Sequence, residues 1–398
     1  MQNVALIIDT LGSYGRGLLS GVASFVQTHI GWRVIYEERK SMDRLPRWMV
    51  PGSCDGVLAR LRDAAQLNSV ARLGVPVVSL GEVDKRPPGV PEILSDHRKI
   101  DVLAAEHLIE RHLKHFAFFG SAGAIFSNLR LSGFREYMHS RNYFVHVFGE
   151  EKWDFGVPKY KRRGDSFWED RRLNSWLQSL PKPVGIMACN DYFGRILLGH
   201  GQRLGLHVPN EIAVIGVDND EILCDLAVPP LASVDPGAAA IGFRAAELLD
   251  GMLSHGGHTG ETILCPPKCV VARSSTNVIA FDDPVVVTAL QFIRDKAGID
   301  IGAEQILDHL AAQSLLVSRS TLERKFRRHL GSSPHDEIAR ARMEMIERLL
   351  LGTQYSVARI AENVGFTSGQ QLTAFFRHHR GSTPGAFRRS KPNKHPAS

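Results

Sequence analysis

From residue 4 to about 236, short β-branched and aromatic runs alternate with stretches of helical periodicity, and this alternation leaves few folds open to the chain. The strand candidates are VALIID (4–9), WRVIYEE (32–38), DGVLARL (55–61), VPVVSL (75–80), HFAFFG (115–120), YFVHVF (143–148), VGIMAC (184–189) and EIAVIGVD (211–218). Helical patterns fill intervals between them at 16–29, 100–111, 129–141 and 194–204. Such a pattern predicts doubly wound parallel sheets, in which ligands bind beyond the carboxyl ends of the strands. Past Asp282-Asp283-Pro284 every apolar pattern has helical period, so an all-α domain follows. A chain of 398 residues is too long for one ordinary core. It is expected to divide into 1–280, 281–390 and a Pro- and Lys-containing tail at 391–398.

Charge is distributed unevenly between these parts. Residues 285–398 hold 17 Lys and Arg against 10 Asp and Glu, whereas residues 1–284 hold 31 against 32. A solvated basic surface is one explanation; a phosphate-binding module is the other. Five scattered cysteines without zinc spacing suit reduced thiols, and no metal or cofactor set stands out. The apolar run Val4 to Ile8 is too short for a signal peptide, and no stretch reaches transmembrane length, so a cytoplasmic, membrane-free protein is expected.

The all-α region matches itself at a shift of 50 residues. Leu322, Phe326, Arg327, Gly331, Ser332 and Pro334 fall on Leu372, Phe376, Arg377, Gly381, Ser382 and Pro384. Each copy reads as a short helix (305–312; 357–363), a turn, and a second helix beginning at Ser318 or Ser368, both good N-caps. The Leu and Phe at i, i+4 form a core-facing stripe. The opposite face carries Arg319, Ser320, Glu323, Arg324 and Arg327 in the first copy, and Gln370, Gln371, Ala374 and Arg377 beside Ser368 in the second. Arg, Gln and Ser read base edges, while Arg328, Lys325 and His378 at the margins suit phosphates. A single helix-turn-helix also packs in many all-α domains, but two copies joined by one helix at 336–351 make two readers of adjacent major grooves.

Residues 285–389 resemble the AraC-type DNA-binding domain, above all in Ile360-Ala361, Val364-Gly365-Phe366, Phe376-Arg377 and Gly381-Ser382-Thr383-Pro384 through Phe387-Arg388. The segment SRSTLERKFRRHLG (318–331) is particularly similar to xylose-operon activators of the XylR type, and the N-terminal part to the sugar-binding core of LacI-type repressors. At Gln371 and Leu372 the sequence departs from the aromatic pair usual in AraC-type domains. The resemblance implies a two-lobed periplasmic-binding-protein-like sensor fused to a double helix-turn-helix domain. It also implies activation of a sugar operon by a homodimer that binds a monosaccharide, operator DNA and RNA polymerase.

Polar residues after the strands form the candidate ligand shell: Tyr14, Arg16, Asp96, Arg130, Asn190, Asp191, Asp218 and Asn219. Carboxylates, amides and guanidinium forks match vicinal hydroxyls, and an aromatic ring covers a sugar's apolar face. The resemblance implies sugar contacts at Arg16, Asp191 and Asp218. Capping is the alternative for Asp96 and for Asp191, which stand before helices starting at 97 and 192. Trp32, Trp48, Trp153 and Trp176 read as packing or surface residues. The loose GSYGRG (12–17) lacks the spacing of a nucleotide loop, and no nucleophile set is recognisable. An enzyme and a solute receptor therefore remain weaker readings than a regulator, and a repressor is the alternative to an activator.

Overall fold

The computed structural model describes all residues except 30, 39–42, 122, 149–169, 257–259, 279–282, 297–300, 354 and 391–398. Trp153, part of the predicted domain boundary and the predicted tail lie outside the described residues. The chain forms two compact units, Met1–Val278 and Ile279–Ser398.

The first unit contains two six-stranded sheets. One lobe holds β1 (Gln2–Ile7), β2 (Trp32–Tyr36), β3 (Gly56–Ala59), β4 (Val77–Ser79), β5 (Glu92–Ser95) and β11 (Thr262–Cys265), in the order β11-β5-β4-β3-β1-β2, with every pair parallel. The other lobe holds β6 (His115–Phe119), β7 (Val145–Val147), β8 (Val184–Ala188), β9 (Ile212–Val217), β10 (Ala232–Asp235) and β12 (Cys269–Val271), in the order β12-β10-β9-β8-β6-β7. Only β12 runs antiparallel. The central strands are buried on both faces, as β3, β8 and β9 show throughout their length. This explains why their sequences are continuous apolar runs rather than alternating ones.

Helices α1 (Ser13–Thr28), α2 (Ala64–Ala71) and α8 (Ala238–His255) pack on the first sheet, and α3 (His97–Ile109), α4 (Ile125–Ser140), α5 (Arg171–Ser179), α6 (Asp191–Arg203) and α7 (Glu221–Leu226) on the second. The chain crosses between lobes after β5, after β10 and between β11 and β12. These crossings bond to one another: Asp96 N–H donates to Cys265 O at 2.8 Å, and Lys268 N–H to Asp235 O at 2.9 Å. Helix α1 sits close against α8 because glycines remove the side chains between them. A Cβ on Gly21 would stand 1.9 Å from Ala239 O, and one on Gly242 would stand 2.0 Å from Leu18 O. That contact fixes the helix whose first turns carry Tyr14 and Arg16.

Among the described residues the regular structure of the second unit is helical: α9 (Pro284–Asp295), α10 (Ala303–Ala312), α11 (Arg319–Leu330), α12 (Pro334–Gly352), α13 (Val357–Asn363), α14 (Gly369–Arg380) and α15 (Pro384–Ser390). The duplication reappears in its backbone. Ser318 and Ser368 cap α11 and α14 by accepting from Thr321 N and Gln371 N, both at 3.2 Å. Gly331 and Gly381 end the same helices at φ +70°, a conformation that favours glycine. Each copy has its own apolar cluster, built around Leu322 and Phe326 in one and Leu372 and Phe376 in the other. Leu372, where the family pattern has an aromatic residue, is fully buried in the second of these clusters. Helix α12 lends Ile338 to the first cluster and Met343, Ile346 and Leu350 to the second, which joins the copies through one rod roughly 28 Å long at 1.5 Å per residue.

Candidate functional sites in the interlobe cleft and on the helical domain

The carboxyl ends of the strands in both lobes face a common cleft lined by Tyr14, Arg60, Arg62, Glu82, Ser95, His97, Phe126, Arg130, Asn190 and Asp218. Four of these, Tyr14, Arg130, Asn190 and Asp218, belong to the shell predicted from sequence. The other six were not singled out, yet Arg60 and Arg62 directly follow β3, Glu82 follows β4, and Ser95 and His97 flank the end of β5. The strand-end rule therefore marks these five as well, while Phe126 stands in the first turn of α4.

The cleft is held by a chain of polar contacts. Arg130 Nε donates to His97 Nδ1 at 3.3 Å, so His97 carries its hydrogen on Nε2 and donates it to Glu82 Oε1 at 2.9 Å. Burial alone would raise Glu82, but the His97 hydrogen bond, a backbone hydrogen bond and the Arg60 charge outweigh it and lower the carboxyl to about 2. Arg130 also donates to Cys189 O and stands 3.6 Å from Asp218 Oδ1, with only 4% of its side chain exposed. Burial raises Asp218, and the Arg130 and Arg60 charges oppose that shift. Tyr14 Oη shares a hydrogen bond with Ser95 Oγ at 3.0 Å, and burial followed by the Glu82 charge pushes the phenol up to about 12. Arg60 lies over the Tyr14 ring and binds Asp9 Oδ2 at 2.6 Å. Arg62 and Arg130 lie over the ring of Phe126, 5.3 and 5.4 Å from its centroid.

Asp218 occupies an unusual turn: it has φ +105° and the next residue, Asn219, φ +46°. Asp191 braces that turn from behind. Its Oδ2 accepts from Asp220 N at 2.7 Å and its Oδ1 from Ser233 Oγ at 2.6 Å, while Ser233 Oγ in turn accepts from Asn219 N at 3.0 Å. Burial and then the Asp218 charge raise Asp191 to about 8. Asp191 does not line the cleft, and it does not cap α6. The cap is Asn190, whose Oδ1 accepts from Phe193 N at 3.1 Å, leaving its amide hydrogens for the cleft. Asp96 caps α3 from Lys99 N at 3.1 Å. Asn219 Oδ1 accepts from Arg273 at 3.0 Å, and Arg16 sits at the cleft rim bonded to Asp220. The cleft thus offers Asp218 as acceptor, Asn190 as donor and guanidinium forks from both lobes, a set that complements a small polyhydroxylated molecule.

On the helical domain Arg319, Ser320, Arg324, Arg327 and Arg328 are exposed along α11, with Glu323 half-buried beside them. Arg319 pairs with Glu323 at 3.3 Å. Lys325, expected at a phosphate, is instead tied to Asp283, the residue that caps α9. Along α14 Ser368, Gln370, Gln371, Ala374 and Arg377 are exposed. Gln371 Oε1 accepts from Thr367 N at 3.0 Å and from Thr367 Oγ1 at 2.9 Å, so its acceptor is engaged within its own helix start. Ser368, Gln370, Ala374 and Arg377 line an open groove with Thr383 and Pro384. Arg324 and Gln370 have no side-chain partner among the described residues.

Among the described residues no three His, Cys, Asp or Glu side chains are grouped to hold a metal ion, and no helix is long and apolar enough to cross a membrane. Residues 105–276 match the model of a periplasmic binding protein-like domain, and residues 311–390 that of a helix-turn-helix domain. The xylose operon regulatory protein of Escherichia coli K12 is 30% identical over 97% of both chains, and that of Haemophilus influenzae Rd is 29% identical over 97% of both. The solved structure of the xylose-binding transcription activator XylR is 28% identical and superposes over 98% of this chain and 99% of its own, with a TM-score of 0.77. The chain belongs to the xylose operon regulatory protein family, and it is a DNA-binding, sugar-responsive transcription regulator rather than an enzyme.

Proposed function

We propose that the chain activates a sugar-utilisation operon in response to a xylose-like monosaccharide held between its two lobes. The observation that carries this reading is the convergence of Asp218, Arg130, Asn190 and Tyr14 on one cleft at the carboxyl ends of both sheets. Asp218 accepts from adjacent hydroxyls, Asn190 donates, and Arg60 and Arg130 add forked donors. Lobe closure on the sugar changes the spacing of two sensors in a homodimer, and the attached helical domains then engage paired half-sites and recruit RNA polymerase in the cytoplasm. Residues 1–280 are the sensor, 281–390 the DNA reader and 391–398 a tail. Arg319, Ser320, Glu323, Arg324 and Arg327 face one major groove and Ser368, Gln370, Ala374 and Arg377 the next, with Arg328 on phosphate.

A ligand that binds only the folded state stabilises it by about 2.7 kcal/mol at a hundred times its dissociation constant. In a thermal-shift panel of pentoses, hexoses and sugar acids on the full chain, D-xylose is expected to give the largest rise in melting temperature. A gel-shift on the DNA upstream of its own operon is expected to tighten with the same sugar. A panel in which no monosaccharide shifts the melting temperature refutes the sugar reading, and sugar-induced release from DNA replaces activation with repression.

A further inference from the structure

One contact across the cleft lies outside the polar set that lines it. Arg16 projects from α1, and its Nη1 donates to Thr10 O and Leu11 O, both at 3.0 Å within its own lobe. Its Nη2 crosses to the other lobe and donates to Asp220 Oδ2 at 3.2 Å. Asp220 is just as firmly set. Its Oδ1 caps α7 by accepting from Leu223 N at 3.2 Å, its own N–H is held by Asp191, and its side chain is 9% exposed against 48% for Arg16. Each partner is therefore aimed by bonds inside its own lobe, so joining them costs little side-chain freedom. Of the bonds these two residues make, separation of the lobes breaks the one between them and leaves those inside each lobe intact.

We propose that Arg16 and Asp220 form a strut that holds the cleft closed, which makes Arg16 a positioning residue and not a contact to the sugar. A contact present in one conformation only shifts the balance toward that conformation by its own free energy. Apparent affinity then scales with the closed fraction, although neither residue touches the ligand. The affinity arm of this inference rests on the sugar-binding reading above; the strut itself rests on the interlobe geometry.

A double-mutant cycle on the full chain separates the strut from direct contact. Asp220→Asn keeps an acceptor for the α7 cap and removes the charge; Arg16→Gln removes the fork. Calorimetry with D-xylose is expected to show each single variant about threefold to tenfold weaker, the scale of one partly exposed charged contact. The double variant is expected to be no weaker than the worse single. Losses that multiply in the double variant, or unchanged affinity in Asp220→Asn, overturn the strut. Hydrogen exchange of the full chain without sugar supplies a second arm: both single variants are expected to exchange several-fold faster in segments 10–16 and 218–226. Exchange as slow as in the wild type refutes the proposal whether or not D-xylose binds, and a wild type that ignores D-xylose refutes the effector assignment alone.

Discussion

A methyl group built on Gly216 would stand 2.2 Å from Asp191 Oδ1 and 3.1 Å from its Cα. The carboxylate that braces the Asp218 turn is thus packed directly over β9, and only a glycine leaves it room. Gly216→Ala must push Asp191 off Asp220 N and Ser233 Oγ, and overpacking of this kind costs about 1 to 3 kcal/mol. Its melting temperature is expected to fall. Asp218→Asn behaves differently, because the residue faces the cleft and its backbone bond to Val234 O at 3.0 Å survives the change. We expect near-normal thermal stability, unchanged basal operator affinity and at least about tenfold weaker sugar binding by calorimetry, or about 1.4 kcal/mol. Unchanged sugar affinity would leave Asp218 as a turn residue. In the sequence these two carboxylates look alike, since each follows a strand. What distinguishes them is direction: Asp191 is the first residue of α6 and turns back beneath the backbone of Asp220, 29 residues later, a long-range contact that no local pattern carries.

The helical elements were more legible than the strands, for a local reason. Ser318, Ser368, Gly331 and Gly381 mark helix ends by hydrogen bonds and backbone angles that depend on nearby residues alone. By contrast β10, β11 and β12, three or four residues long, are defined by pairing with strands elsewhere in the sequence, so their own few residues do not mark them. The two recognition helices also differ in chemistry. Helix α11 exposes Arg324 and Arg328, whereas α14 exposes Gln370 and Ala374 and keeps Gln371 for its own first turn. Arg324→Ala is expected to cost about 1 to 3 kcal/mol of operator affinity and to relax preference at one position. Arg328→Ala is expected to weaken all sequences alike and to lower the salt slope by about one. Identical sequence-selection profiles for wild type and Arg324→Ala would remove Arg324 from the base edges.

At the scale of the whole molecule, the two units have separate cores and meet in sequence at Val278 and Ile279. The helical unit contains both halves of its duplication, a shared rod in α12, and clusters in which Leu322, Phe326, Leu372 and Phe376 are fully buried. Among the described residues those clusters hold none from the sheets, so a fragment of residues 280–398 is expected to fold alone with a helical circular-dichroism spectrum and a cooperative melt. On the proposed reading its basic surface carries the phosphate attraction and α11 and α14 the base contacts, so it is expected to select operator over random DNA. It lacks the sensor, which on the proposed reading pairs two copies. When two linked readers become one, affinity drops by the effective-concentration factor, on the order of a hundredfold to ten-thousandfold. Gel-shifts at fixed salt are expected to show that weaker binding with no response to D-xylose, while the full chain responds. If a demonstrably folded fragment does not bind at all, the sensor contributes DNA contacts of its own. If it matches the full chain in affinity, pairing through the sensor is not the source of the full chain's strength.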